Sequence, residues 1–427
     1  MEYSPRFRLF PSTTQRESLE WTRNIVRQVY NNALHEFNKI PQDEGTLRQR
    51  VWQVRDKLPQ HKQQWTELKQ VYSTVLQKAV ERIRTNINNL GKLKAKGYSV
   101  GSLNWKKPRE FRSFTYRQSG FELDKKSGPR DRAILRLKKV RGETLDVPIR
   151  LHRDLPEHDS IKEVTVKKEP TGAWYTSFCI STEEPKKPEP EDTDAVDTVG
   201  LDLGVLTFIH DSSGRSLSRL DLTDERERLE REQRSLSRKQ YESNNWEKQR
   251  RRVAEVHARM SNKKRDYKHK LAHFYATEYD AVFVENLNVK SMLEGDGNAR
   301  NKAEVGWSDF RRILEHHCDK HGTHYVEVPA QGTTKECARC GVETEKPLWI
   351  REHSCPSCGF ELDRDWNAAL NVKSRSLSKL GVVHSEATPV ETATAVDSVS
   401  VSASLVVEAG SLCLKERAAK PRVSRQG

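Results

Sequence analysis

The sequence predicts a multidomain protein, α+β in its N-terminal part and α/β in its C-terminal part, on three observations. Apolar residues at period two bracket a long stripe at helical spacing in the first 180 residues. A charged, proline-rich segment then divides the chain, and beyond it two strongly apolar runs each carry a single carboxylate. At 427 residues the chain exceeds one typical hydrophobic core.

Taken in order, Arg6-Phe7-Arg8-Leu9 alternates like a short strand, and Pro11-Ser12-Thr13 offers a helix start. Leu68, Val71, Tyr72, Val75, Leu76, Ala79, Ile83, Ile87 and Leu90 recur at spacings of three and four, which predicts one long helix ending before Gly91 with that stripe as core. Period two returns at Leu145, Val147, Ile149 and Leu151, and again at Trp174, Thr176, Phe178 and Ile180, so strands enclose the helices in a β-rich N-terminal domain. From Glu183 to Asp192 the composition is that of a linker. Between Thr223 and Phe274 nearly everything is charged. Leu222, Leu229 and Leu236 nevertheless recur every seven residues, as do Trp246, Val253, Met260, Tyr267 and Phe274. Either an antiparallel helical pair or one long helix with a shifted seam satisfies that pattern.

Lys and Arg total 75 against 61 Asp and Glu, a formal net charge of +14, and 34% of residues are hydrophobic. Phosphate-rich partners suit such a surface; solubility alone is the plainer alternative. Lys92 to Arg117 holds eight Lys/Arg and one Glu, interleaved with Tyr98, Trp105, Phe111, Phe114 and Tyr116. Cations release counterions from a nucleic acid and aromatic faces accept unstacked bases, which marks Lys106, Lys107 and Arg109 as candidate contacts. For Phe114 and Tyr116, at period two, strand core is the favoured reading. No signal peptide and no membrane span of about 18 to 20 apolar residues is visible, so the expectation is a soluble, cytoplasmic protein without membrane partners.

Seven cysteines do not make a disulfide framework here. Cys337-Ala338-Arg339-Cys340 and Cys355-Pro356-Ser357-Cys358 are two C-x-x-C knuckles, each followed by glycine, with 14 residues between them. Four thiolates so spaced fit a closed, structural Zn²⁺ site; a redox pair is the alternative. His353 reads as a bystander. Asp202 lies in the apolar run Val199-Gly200-Leu201-Asp202-Leu203-Gly204-Val205, Glu285 closes Ala281-Val282-Phe283-Val284, and Asp365 opens the helical pattern Asp365-Trp366-Asn367-Ala368-Ala369. Each acid alone suits a hydrogen-bonded strand end or turn. Together, from two strands and a late helix, they supply what two-metal phosphoryl chemistry needs in an α/β fold of the RNase H type, with Mg²⁺ or Mn²⁺ as the ions. Asp363 competes with Asp365 for the third place, and Asp365, just ahead of Ala368-Ala369-Leu370, is preferred. No Phe, Trp or Tyr follows Trp366, so the tail from about Ser374 to Gly427 is expected to be disordered.

The order GLDLGV, VENLNV, C-x-x-C-G, C-x-x-C-G-F and DRDWNAALNV resembles the TnpB (OrfB) family encoded by insertion sequences. Upstream, Phe7-Arg8-Leu9-Phe10-Pro11, Val29-Tyr30-Asn31, Arg112-Ser113-Phe114-Thr115-Tyr116 and Gly172-Ala173-Trp174-Tyr175 look like its N-terminal landmarks, so the similarity spans roughly residues 3 to 373. The resemblance implies a wedge-like, β-barrel-like domain over 1–182 with a helical recognition insertion from about 12 to 110. A linker at 183–195 and a RuvC-like nuclease domain over 196–373, interrupted by a zinc element at 333–360, would follow. It implies RNA-guided cleavage of double-stranded DNA, with a guide RNA from the transposon end. Asp202, Glu285 and Asp365 would be the metal-binding acids, and Cys337, Cys340, Cys355 and Cys358 the zinc ligands. A transposase that breaks and rejoins strands, or a non-catalytic nucleic-acid-binding regulator, are the other readings. Where many relatives carry Thr-Ser-Gln before the first knuckle, this chain has Thr333-Thr334-Lys335.

Overall fold

The computed structural model describes residues 2–125, 132–139, 142–155, 161–287, 305–347, 349–380 and 400–401. They group into two compact units, Met1–Glu183 with Leu236–Glu255, and Glu184–Ser235 with Val256–Gly427.

In the first unit, helix α1 (Thr13–Lys39) starts where the sequence offers a cap: Ser12 accepts the Gln15 amide and the Gln15 side chain accepts the Ser12 amide in return. Its buried face, Val26, Val29, Tyr30, Ala33, Leu34 and Phe37, keeps the three-and-four spacing. Helices α2 (Leu47–Asp56), α3 (Leu58–Gln64) and α4 (Ser73–Ala95) follow. The single long helix expected from Leu68 is interrupted, because Leu68 lies in a 3₁₀ turn and Val71 is extended. Nor does Gly91 end α4. Its backbone stays helical to Ala95, at a cost of about 1 kcal/mol relative to alanine.

The strands of this unit are β1 (Glu2–Tyr3), β2 (Arg6–Leu9), β3 (Ser113–Arg117), β4 (Phe121–Asp124), β5 (Arg132–Lys138), β6 (Thr144–Arg150), β7 (Ile161–Lys168) and β8 (Trp174–Ser181). They form one antiparallel sheet in the order β3-β7-β8-β2-β6-β5-β4, with β1 also on β8. The barrel-like domain is thus, among the described residues, an eight-stranded sheet with no ladder joining β3 to β4. Strict alternation puts Trp174, Phe178 and Ile180 in the core shared with Phe7 and Leu9.

The second unit is built on β9 (Thr198–Asp202), β10 (Thr207–Asp211), β11 (Ser216–Ser218), β12 (Ala281–Asn286) and β13 (His324–Pro329), in the order β13-β12-β9-β10-β11. β9, β10 and β11 are an antiparallel meander; β12 and β13 add on parallel to β9. Residues 400–401 pair with β11. The central strands β9 and β12 are buried along nearly their whole length because both faces of the sheet are covered there. Val282 and Val284 face helices α6 (Asn244–Glu278) and α7 (Trp307–His321), whereas Ala281 and Phe283 pack with Val372 and Leu377 of α8 (Arg364–Leu380).

Gly200 is the point of closest approach. A Cβ there would fall 2.3 Å from the Ala369 carbonyl oxygen, so only glycine lets α8 lie against β9. The charged seams resolve as two helices, α5 (Thr223–Ser237) and α6, with Glu225 of α5 paired to Arg259 and Lys263 of α6 at 3.3 and 2.5 Å. The linker segment also docks: Lys187 pairs with Asp319 at 3.0 Å and the His324 ring meets the Pro188 carbonyl at 2.7 Å. Helix α8 runs to Leu380 with Ser376 and Leu377 buried, so the tail's expected start at Ser374 is too early. The remainder of that tail, save residues 400–401, lies outside the described residues. No helix among the described residues is long and apolar enough to cross a membrane.

Candidate functional site

Asp202 ends β9 and Glu285 lies next to last on β12, the strand parallel to it. In an open sheet with parallel neighbours, the carboxyl ends of adjacent strands are where ligands gather. Asp365 enters from the first turn of α8, which packs on β9 through Ala369 and Lys373 against Gly200. The three acids are 7, 4 and 9% exposed, far too buried for ordinary solvated carboxylates.

Crowding and burial set their chemistry. Desolvation first, then the charges of Glu285 and Asp365, hold the Asp202 carboxyl well above its usual range, with Arg364 opposing. Burial likewise pushes Glu285 up to about 7, against the Thr333 hydrogen bond and the charge of Arg375. Arg351 and Arg364 reach Asp365 at 3.1 Å each. Asp363 has another role: its Oδ1 accepts the amides of Asp365 and Trp366 at 2.9 and 3.1 Å, capping α8.

Asp202 and Asp365 offer ligand atoms within 4.8 Å of one another together with His210, which sits directly across the β9–β10 ladder from Asp202. Glu285 stands outside that group of atoms, its Oε1 2.5 Å from the Thr333 hydroxyl. Clustered buried carboxylates plus an imidazole fit a divalent cation, which would neutralise the repulsion that raises Asp202. The sequence reading missed His210 and Thr333. A histidine within Thr207-Phe208-Ile209-His210-Asp211 is a weak signal until the register with β9 is known.

The proton preference of Glu285 gives a signed expectation. In the ion-free fold its raised value favours the neutral form, so stability is lost as pH rises from the ordinary 4.5 through about 7. A cation needs the ionised form, so the melting-temperature gain on adding Mn²⁺ is larger at pH 8 than at pH 6. Glu285→Gln should flatten that difference. Equal Mn²⁺ gains at both pH values in the parent protein would remove Glu285 from the cation site.

The four cysteine sulfurs lie within 4.8 Å of one another, with Cys337–Cys358 and Cys340–Cys355 at 3.7 and 3.5 Å. Tetrahedral Zn–S bonds of about 2.3 Å demand sulfurs about 3.8 Å apart, so the set fits Zn²⁺. Gly341 and Gly359, at φ of 76° and 66°, make the turns that return their amides to the carbonyls of Cys337 and Cys355. The amides of Cys358 and Ser357 stabilise the Cys355 thiolate, lowering it to about 6. Strands β14 (Glu352–Ser354) and β15 (Glu361–Asp363) carry the second knuckle straight into α8. Asn367 bonds the Ala338 amide and the Glu336 carbonyl at 3.0 and 2.8 Å; Asn371 holds the Thr333 and Glu336 carbonyls at 2.8 and 2.7 Å. The two asparagines, one helical turn apart, thereby weld the first knuckle to the helix bearing Asp365.

In the first unit, Phe114 and Tyr116 of the Lys92–Arg117 stretch are strand core as the sequence favoured, and Phe111, read as a stacking face, is the correction. Phe111, Phe114 and Tyr116 are buried, because the pleat of β3 turns the last two inward and Phe111 packs on Tyr30. Of the five aromatics in the stretch, Tyr98 and Trp105 remain exposed. The Lys106 backbone is pinned by Asn31 at 2.8 Å, and Lys107 is exposed. Arg109 lies 5.1 Å over the Trp246 ring and 3.8 Å from Glu242 and Glu247. With Arg23, Arg112, Lys168, Arg250 and Arg251 it lines a cavity of about 350 Å³.

Family models match in three stretches: a probable transposase over residues 177–295, a Cas12f1-like TNB domain over 307–372 and a helix-turn-helix domain over 1–43. Within that last stretch the described residues, 2–43, hold two short strands and the helix α1. A putative RNA-guided DNA endonuclease of Streptomyces pristinaespiralis is 31% identical over 391 residues, 87% of this chain and 89% of the relative. The putative RNA-guided DNA endonuclease InsQ of Escherichia coli (strain K12) is 29% identical over 229 residues, 50% of this chain and 56% of InsQ. TnpB-like protein L79 of Acanthamoeba polyphaga mimivirus is 34% identical over 127 residues, 28% of this chain and 24% of that protein. Among solved structures, a Cas12f1–sgRNA–target DNA complex aligns with a TM-score of 0.56 at 15% identity, over 85% of this chain and 83% of that one, a likeness of fold. The motif order, the strand and helix positions of the acids and a relative matched across most of both sequences agree: the chain belongs to the TnpB (OrfB) family.

Proposed function

We propose that this protein is an RNA-guided DNA endonuclease that hydrolyses target phosphodiesters at a RuvC-like, RNase H-type site. The observation that carries the reading is the crowding of Asp202, Glu285 and Asp365, all buried, at one edge of a meander extended by two parallel strands. Bound Mg²⁺ or Mn²⁺ would be held by Asp202 and Asp365 with Glu285, and would supply water activation and charge stabilisation at the leaving oxygen. The chain's own residues do the rest. The Thr333 hydroxyl orients Glu285, Arg351 and Arg364 fix Asp365, and the asparagine pair keeps the amino end of α8 in place. Zn²⁺ at the four cysteines is structural in this reading.

In such a division of labour the guide RNA reads the target by base pairing, and the protein reads a short motif beside it. The test is to co-express the protein with its flanking genomic sequence, sequence the RNA that co-purifies, and assay Mg²⁺-dependent cutting of matching DNA. A discrete RNA from the element's end and guide-dependent cuts are expected. Strand-joined products would point instead to a transposase, and RNA-independent binding without cutting to a regulator.

Phosphate pairing by Lys106, Lys107 and Arg109 belongs to the same proposal. Their replacement by alanine should weaken RNA binding and flatten its dependence on salt, with the slope falling by roughly one for each phosphate left without its cation. Arg109 is the least free of the three, since Glu242 and Glu247 already face it. Superimposed parent and variant curves across a salt series would leave these side chains as solvated rim.

A further inference from the structure

Four imidazoles meet between two helices of the second unit. His269 and His273 are one turn apart on α6, and His317 and His321 one turn apart on α7, so each pair shares a helix face. Ring centroids lie 5.3 Å apart for His269–His317, 5.9 Å for His273–His317 and 5.1 Å for His273–His321. His269 Nδ1 sits 3.0 Å from His317 Nε2. That contact uses one nitrogen of His317 and leaves the other, Nδ1, buried with no hydrogen-bond partner; His321 Nε2 is in the same position. Buried ring nitrogens without partners are unfavourable, and two within one cluster of imidazoles call for a shared occupant.

We propose that His273, His317 and His321 form a transition-metal site, filled by Zn²⁺ and open to Ni²⁺, Co²⁺ or Cu²⁺. Each of the three offers a ring nitrogen within 4.8 Å of the others. Bonds of about 2.0 to 2.1 Å need nitrogens about 3.3 Å apart, a closure that small side-chain rotations provide. An all-imidazole donor set selects borderline ions over Mg²⁺ or Ca²⁺. His269 acts from behind, fixing the ring of His317 so that its remaining nitrogen faces the ion. Lys320 is the cation acting on His273, His316 and His321, so the ion has to be bound by coordination rather than by a negative field.

The location gives the site a task. Helix α6 runs directly into β12 and α7 leads directly into β13, so an ion here clips together the two helices that flank the strand carrying Glu285. The clip is separate from the proposed chemistry and stands whether or not the protein cuts DNA.

Metal analysis of the untagged full chain, purified from zinc-supplemented culture without chelator, is the direct test. Two zinc ions per chain are expected for the parent and one for His273→Gln and for His321→Gln. Calorimetric titration of the parent with Ni²⁺ should show one site that displaces the second zinc and weakens at least tenfold in either variant. His273 is exposed, so its replacement leaves the packing intact. A parent with one zinc and no Ni²⁺ site overturns the proposal. So does a second zinc that persists in both variants, since it must then lie elsewhere.

Discussion

Alanine at Asp202, Glu285 or Asp365 lowers target cutting on the order of 1,000-fold or more while guide and target binding stay close to the parent. The acids are contributed by β9, β12 and α8, so removing one leaves the other two in place but the ions without a full set of donors. Cutting assays on pre-bound complexes separate the two quantities. Asp202→Asn adds a signature that a purely structural residue lacks. Because Asp202 is destabilised by burial and by its acidic neighbours, the neutral amide should raise the ion-free melting temperature even as cutting is lost. Asp363→Ala should do the opposite, costing about 1 kcal/mol of helix capping with a modest effect on rate. Parental cutting rates in all three alanine variants would end the catalytic assignment.

Cys337→Ser removes one zinc ligand and unfolds the knuckle region rather than slowing the chemistry alone. Structural zinc sites contribute apparent binding energies of about 10 to 16 kcal/mol in small zinc-finger peptides. The loss spreads here because Asn367 and Asn371 anchor α8 to the backbone at Thr333, Glu336 and Ala338, on and just before the first knuckle. Hydrogen exchange should show deprotection from 333 to 372 with the N-terminal sheet unchanged, and metal analysis should show the loss of one zinc. A Cys355→Ser protein that melts like the parent would refute the structural role.

The parts of this molecule that were legible in the sequence are those fixed by short-range periodicity. Alternation identified β2, β6 and β8, the helix start at Pro11-Ser12-Thr13 placed the beginning of α1, and the knuckle spacing placed the sulfurs. The acids stood out because a charge inside an apolar run needs a partner. What escaped notice depends on contacts far apart in the chain. His210 matters only through its register with Asp202, and Thr333 only because a loop before the knuckle returns to Glu285. The stripe from Leu68 looked continuous because periodicity cannot register the extended backbone at Val71. Phe111 was read as a stacking face since burial against α1 is invisible in a local window.

The three acids proposed as catalytic come from three separate stretches of sequence, and this imposes a timetable on synthesis. Asp365 is translated 163 residues after Asp202, which at about 5 to 20 residues per second takes roughly 10 to 30 s. During that interval a nascent chain can have its N-terminal sheet folded yet hold only part of the proposed acidic centre. Chain order alone therefore completes the acidic cluster only after the N-terminal sheet has had time to fold.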